Sequence, residues 1–443
     1  MTFDFFEGPA GTGKTHNLVE RAGELVQQGV LGEERKLLAL SYMNGARRRL
    51  EARLGANALF RRRFECQTFD VFGRILAARR RSLLAGNDEL IAQAAALGEF
   101  DGPCFLAGSL LQNAAVRQWV RQSFPIVLVD EAQDLDEPRL SMLQGLSTGC
   151  HIVAAADGFQ CLTDGQNAEA VVEWLKNAGQ THYLSQPKRT SRQGLLDAAL
   201  AVRELKDIKS VLNETTFKGR SIWNGPGFRL LEIPAKQAGL VAWTISNEMA
   251  LRNGYWAILT PDTTNDILRD ALEIVQSRVW KRKNGQTFGP FPYKWDRKDE
   301  EEAQVVLAEI AMPEKAGPAD FAAILKPHAS HAPIAQAIDR IDRLRRTHGE
   351  TEFERARILE IIRESFRLRS RLGFRQQRGH GAMTIHRAKN REFENVIVLW
   401  PHSATGSAAH LRRLLYNGIT RAIRHCSVIV LGEGRLSKPP FAP

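Results

Sequence analysis

Apolar residues along the chain fall into two patterns. Short apolar-rich runs occur at residues 3–7 (FDFFE), Ile126–Val129 (IVLV) and 151–156 (HIVAAA), and again in FRLLEIP and YWAILTP beyond residue 226. Runs this short, apolar at successive positions, predict strands covered on both faces, as in parallel sheets. The stretch HNLVERAGELVQQG that follows residue 15 predicts a helix instead. Two more helical stretches are expected around Ile334–Arg346 and Phe353–Arg371, both arginine-rich. The region 276–379 that holds them differs from the rest. It opens with Gly, Pro, aromatic and mixed-charge residues, including Phe288, Phe291, Tyr293 and Trp295. That cluster reads as the local core of a small subdomain, with a stacking platform for bases as the other reading. No internal repeat or low-complexity tract interrupts the pattern.

Candidate chemistry sits at the ends of the predicted strands. Strand 3–7 runs into Gly8-Pro9-Ala10-Gly11-Thr12-Gly13-Lys14-Thr15, followed by the helix. Strand, GxxxxGKT and helix in that order form a phosphate-binding loop, in which glycines admit backbone N–H groups to phosphate oxygens. Lys14 is expected on the β- and γ-phosphates and Thr15 on Mg²⁺. The run Ile126–Val129 ends in Asp130 and Glu131. Asp130 suits a Mg²⁺ ligand acting through water, and Glu131 suits a base that orients and deprotonates an attacking water. Asp134 is the candidate cap for the next helix. Beyond the strand at 151–156, Asp157 and Gln160 follow, and a glutamine there can sense the γ-phosphate. ATP and Mg²⁺ are therefore the expected ligands.

Composition narrows the partner. The chain has 443 residues, enough for two or three domains, and a formal net charge of +11, which favours polyanions and nucleic acid first. Arginine triplets at 47–49, 61–63 and 79–81 read equally as DNA contacts or solvated helix faces. The five cysteines are scattered with no CxxC spacing, so no zinc or iron–sulfur framework is indicated. No apolar run is long enough to span a bilayer and the acidic N-terminus lacks a signal peptide's basic segment, so a cytoplasmic protein without a membrane partner is expected.

With the P-loop and DEAQD in place, the chain resembles the UvrD/Rep helicases of superfamily 1. SYMN, Ser41–Asn44, is similar to the family's TFTN, which puts Tyr42 and Asn44 on DNA, with Tyr42 at a base-stacking position. CQTFDVF resembles the TxxxF segment, making Thr68 a phosphate-contacting threonine. ADGFQ resembles the GDxxQ segment that couples ATP to DNA, and LSQPKRTS resembles LxxNYRS, making Arg189 an arginine finger. MTIHRAKNREFENVIVLW resembles the TxHxxKGLEF segment, which implies ribose binding by Glu392 and DNA contacts by Thr384 and His386. RRLLYNGITRA makes Arg421 the second finger. The implied fold is α/β: a P-loop NTPase of two RecA-like domains with parallel sheets and a small, mostly helical insertion. The first domain is expected at 1–215, with a small insertion near 73–124. The second is expected at 216–275 and 380–443, and a reduced accessory insertion at 276–379.

The resemblance implies a single-stranded DNA translocase or helicase moving 3′ to 5′, with ATP between the two domains biasing a two-state hinge. A duplex with a tail is a related track, and RNA remains open. The chain also departs from the family. Only seven residues precede Gly8, so the upstream adenine-recognition segment is expected to be missing; Lys188 stands for the adenine-stacking aromatic and His16 for the arginine after GKT. Weak discrimination among nucleoside triphosphates is expected, with His16 kept among the nucleotide-site residues. Gly165 and Gln166 stand where the family has an aromatic–arginine pair near DNA, and KGLEF has become Lys389-Asn390-Arg391-Glu392-Phe393. These changes suggest a motor working with a nuclease or another protein partner, for instance in anti-phage defence. The alternatives are a nucleotide-gated DNA-binding switch, or a structural DNA-binding subunit with a vestigial site.

Overall fold

The computed structural model describes residues 3–162, 168–217, 220–234, 237–262, 265–296, 299–349, 351–372 and 379–443. The chain forms two compact units, Met1–Lys294 with Gly379–Pro443 and, separately, Trp295–Arg378.

The first unit holds two sheets. Its N-terminal sheet uses β1 (Phe3–Glu7), β2 (Leu37–Ser41), β3 (Phe64–Thr68), β4 (Ile126–Asp130), β5 (His151–Ala156) and β6 (Gln180–Tyr183). The order is β3-β2-β4-β5-β1-β6, with every neighbouring pair parallel. Parallel pairing explains the uninterrupted apolar runs, since each central strand is covered on both faces. Ile126, Val127, Leu128 and Val129 have no exposed surface. Alternate residues of β4 enter different cores: Val127 and Val129 one, Ile126 and Leu128 the other. Helices α1 (Lys14–Gln27), α2 (Asn44–Ala56) and α3 (Phe69–Arg79) follow β1, β2 and β3. In α1, Leu18, Ala22 and Leu25 are buried at helical spacing, giving it one core-facing stripe. Short helices fill the stretch between Arg81 and Ser123.

Helix α4 (Glu137–Ser147) follows β4. Its cap is Asp136, whose side chain accepts from the Arg139 N–H, and not Asp134 as the sequence suggested. Asp134 faces inward and accepts from Lys389 instead.

The second sheet uses β7 (Asn213–Phe217), β8 (Arg220–Gly225), β9 (Phe228–Ile233) and β10 (Trp256–Thr260). It continues with β11 (Tyr293–Trp295), β12 (His380–Thr384), β13 (Phe393–Trp400) and β14 (Ala422–Leu431). The order is β11-β12-β10-β13-β14-β9-β8-β7. The pairs from β12 to β9 are parallel, whereas β7, β8 and β9 pair antiparallel. At this edge the chain turns back on itself because two residues separate each of these strands, too few for a parallel crossover. Helices α5 (Ile385–Ala388) and α6 (Ala408–Ile419) connect the C-terminal strands.

The smaller unit carries helices Pro318–Leu325, Ala332–His348 and Arg355–Leu372. Its core gathers Phe321, Ile334, Ile341, Ile358, Ile362 and Phe366, so apolar stripes lie beneath the arginines. Phe288, Phe291, Tyr293 and Trp295 are only half-buried and are not a core. Arg282 lies over the Phe288 ring at 5.2 Å, and Phe291 packs edge-on against His380. Gly165 and Gln166 lie outside the described residues. Among the described residues, no helix is long and apolar enough to cross a membrane.

Candidate nucleotide site

The carboxyl ends of parallel strands are where loops leave a sheet and ligands bind. β1 ends here at the P-loop, β4 at Asp130 and β5 just before Asp157. The loop's shape depends on its glycines. Gly11 and Gly13 have φ of 80° and 88°, which glycine adopts at little cost. A Cβ on Gly8 would lie 2.5 Å from the Leu184 carbonyl oxygen, so the loop can pass beside that strand's exit only with glycine there.

Lys14 Nζ donates to the carbonyls of Gly8 (2.9 Å) and Pro9 (3.1 Å), and Thr12 Oγ1 donates to Pro9. Burial lowers the Lys14 pKa, with Asp157, Glu131 and Asp130 opposing. Thr15 Oγ1 donates to Asp130 Oδ2 at 2.9 Å. A hydroxyl and a carboxylate side by side are a donor set suited to Mg²⁺. Burial and neighbouring Glu131 push the Asp130 carboxyl up, against the pull of Arg49, Thr15 and Lys14. Burial also penalises Glu131, but Lys14, Arg49, Lys389 and the Gln133 hydrogen bond outweigh it and hold its pKa at about 2. Glu131 itself stands in the left-handed region, φ 57°.

A cavity of about 1100 Å³ opens over these groups. It is lined by Ala10, Gly11, Gly13, Lys14, Thr15 and His16 from the P-loop side, by Glu131 and Gln160, and by Lys188, Arg189, Glu392 and Arg421. The expected nucleotide residues of both sheets thus meet in one cleft. Gly8, Pro9 and Thr12 shape the loop from behind, and Asp130 reaches the cleft through Thr15.

Several contacts fasten the second sheet to this site. The Ala10 N–H donates to Tyr416 Oη at 2.9 Å, and buried Lys389 Nζ donates to Asp134 Oδ1 at 2.5 Å. Arg421 is 3% exposed. Its Nε donates to the Asn417 carbonyl and its Nη2 to Thr420 Oγ1, with no ion pair among the described residues. Burial and facing Arg189 lower its pKa to about 9, which leaves it cationic at neutral pH. Arg189 is placed differently from a free finger: Nη2 pairs with Glu392 at 2.8 Å and Nη1 donates to the Thr420 carbonyl.

The residues expected on DNA lie outside this cavity. Tyr42, Asn44 and Thr68 sit just beyond or at the ends of β2 and β3, and Thr384 ends β12. Tyr42 is half-buried, with the Arg139 guanidinium 4.8 Å from its ring centroid. Asn44 Oδ1 accepts from Arg47 Nε, and Thr68 is buried. Thr384 caps α5, and exposed His386 stacks on His410.

Sequence reasoning missed several members of the cleft. Gln133 donates to Glu131 Oε2 at 2.6 Å and accepts from the Asp157 N–H, linking the ends of β4 and β5. Its signal was the glutamine inside DEAQD. Arg49 and Arg53 also line the cavity; Arg49 was signalled only by an arginine triplet whose phase on α2 the sequence did not resolve, and Arg53 by nothing.

A model of the AAA domain matches residues 4–166, and a model of the UvrD-like helicase C-terminal domain matches residues 381–429. No curated protein matches the chain. The matched segments supply the two walls of the cleft just described, and together they support a UvrD-like helicase of superfamily 1 and indicate an ATPase and DNA helicase.

Proposed function

We propose that this chain is a 3′-to-5′ motor on single-stranded DNA, working as the ATPase subunit of a larger DNA-processing assembly, a nuclease-containing or anti-phage defence complex among the candidates. The observation that carries the motor reading is the division of the cleft. Lys14, Thr15, Asp130 and Glu131 come from one sheet, and buried Arg421 comes from the other. A phosphoryl group held by the first set is reached by Arg421 only when the sheets are together, so nucleotide and hinge bias one another.

In this reading the P-loop amides and Lys14 hold the β- and γ-phosphates. Glu131, kept anionic and oriented by Gln133, accepts the proton of the attacking water. Thr15 and Asp130 would hold Mg²⁺, which neutralises developing phosphate charge. Arg421 and Arg189 stabilise the transferring group, Gln160 senses it, and Glu392 and His16 face the nucleoside. Tyr42, Asn44, Thr68, Thr384 and His386 grip single-stranded DNA in alternation.

Displacement of streptavidin from biotinylated single strands tests the motor reading. ATP-dependent release from the 5′ end, well above release from the 3′ end, is expected; equal slow release from both refutes directional stepping. A second reading rests on Tyr42. One face of its ring is covered by Arg139, which is itself paired with Asp101 and Asp136. That cover weakens stacking on bases and favours a nucleotide-gated DNA-binding switch, which would release neither roadblock while still binding DNA in an ATP-dependent way.

A further inference from the structure

Helix α2 turns Ala46, Leu50 and Leu54 into the core at a spacing of four. Arg49 and Arg53, also four apart, fall on an adjacent stripe and reach the nucleotide cavity. Arg47 leaves in another direction, to Glu51 and the Cys66 carbonyl. The triplet therefore divides, and only its last member enters the cleft.

There Arg49 occupies a bridging position. Its Nη2 donates to Asn390 Oδ1 at 3.0 Å and lies 3.8 Å from Glu131 Oε1. One nitrogen thus stands between the carboxylate at the end of β4 and the loop that leads into β13 of the other sheet. Its Nε is buried with no hydrogen-bond partner among the described residues, while the side chain as a whole stays about one-third exposed, so Nη2 carries the contacts to both sheets. Asn390 has φ 66°, so its side chain leaves a left-handed turn toward Arg49. A glycine there would keep the turn and supply no acceptor.

We propose that Arg49 is a positioning residue for ATP hydrolysis, tying the Glu131 carboxylate of one sheet to Asn390 of the other. Among the arginines of the cleft, Arg49 then has the task of setting the base, distinct from the two finger positions. Movement of the Asn390 loop with the second sheet alters where Arg49 can hold Glu131, so hydrolysis and hinge position are linked through one side chain. The inference rests on Glu131 being the hydrolytic base.

Steady-state ATP hydrolysis by the full chain on single-stranded DNA tests this with Arg49→Ala, Arg49→Lys, Asn390→Gly and the double variant Arg49→Ala/Asn390→Gly. Arg49→Ala is expected to lower kcat at least tenfold with KM within twofold. Asn390→Gly, which keeps the turn, should lower kcat about fivefold, and the double variant should fall no further than Arg49→Ala. Arg49→Lys should recover part of kcat, since a lysine keeps the charge without the fork. A rise in KM at unchanged kcat would make Arg49 a phosphate ligand and overturn the proposal, as would losses that multiply in the double variant. If Arg49→Ala does not fold, the Asn390→Gly kcat decides alone: wild-type turnover there refutes the link. Wild-type turnover that survives Glu131→Gln defeats the hydrolytic reading itself, which is a separate failure.

Discussion

Arg189 donates to one carboxylate oxygen of Glu392 from two nitrogens, Nε at 2.9 Å and Nη2 at 2.8 Å. The resemblance assigns these residues to opposite ends of the nucleotide, a phosphate and a ribose, yet here they hold each other across 203 positions of chain. Nucleotide entry then has to compete with this pair for the guanidinium. Glu392→Gln weakens the pair while leaving an amide that can hydrogen-bond a ribose. The expected result is a KM for ATP about threefold lower with kcat within twofold. A raised KM would show that the carboxylate's contact with the nucleoside outweighs the competition.

Arg421 differs from Arg189 in having no ion-pair partner among the described residues. Its guanidinium is buried and held by a carbonyl and a hydroxyl of its own helix end, which keeps the charge available to an incoming phosphoryl group. Arg421→Ala is expected to reduce kcat by about 100-fold or more, in the range found for groups that stabilise the transition state, with KM changed by less than fivefold. Arg421→Lys should stay severely impaired, since one ammonium cannot reproduce the fork. Equal loss from KM alone would move this residue from catalysis to binding.

His16 and Lys188, which the resemblance sets beside the base, line the cleft, and the Lys188 stem passes over Gly13. His16 is highly exposed and its nearest charged partner is Glu20 at 3.6 Å. Neither side chain offers a buried, fixed hydrogen-bonding edge, and discrimination between bases needs buried polar groups that a wrong base leaves unpaired. ATP and GTP are therefore expected to give KM and kcat values within about threefold of each other. A hundredfold preference for ATP in competition experiments would sink this expectation.

A buried histidine gives the fold a measurable pH dependence. His425 donates to or accepts from Ser427 Oγ at 2.9 Å, and Ser427 in turn donates to Glu248. Burial, then Arg252, Arg229 and Arg192, push its pKa down to about 3. The unfolded chain binds a proton near pH 6.5 that the folded chain refuses, so stability rises with pH between about 3 and 6.5 and is flat above. At pH 5 the cost is about 2 kcal/mol. Denaturant unfolding at pH 5 and pH 7.5 should show that loss in the wild type and a much smaller one in His425→Gln. Identical pH slopes for the two proteins would exclude His425 as the source.

The parts legible in the sequence were those where chemistry demands a residue type at a strand end. GKT after FDFFE and DE after IVLV left little choice of position, and both strands end at those residues. Asn390, which stands where the family has glycine, keeps the left-handed turn at φ 66°, a conformation asparagine tolerates. What was not legible depends on how helices turn and which loops meet. Arg47 and Arg49 look alike in the chain, but two residues of helix send one to Glu51 and the other into the cleft. Asp134 read as the cap, but the turn geometry gives that role to Asp136, two residues on. The antiparallel edge at β7 and β8 escaped because its strands are polar and half-exposed, without a buried apolar run.

On the motor reading, Glu131 activates water in a cleft whose two walls close around the nucleotide. Steady-state ATP hydrolysis with and without single-stranded DNA, beside Glu131→Gln, tests it most directly. The account predicts strong stimulation by DNA and loss of at least 100-fold in the Glu131→Gln protein at unchanged nucleotide binding. Hydrolysis that is low, indifferent to DNA and unaltered by Glu131→Gln would contradict it.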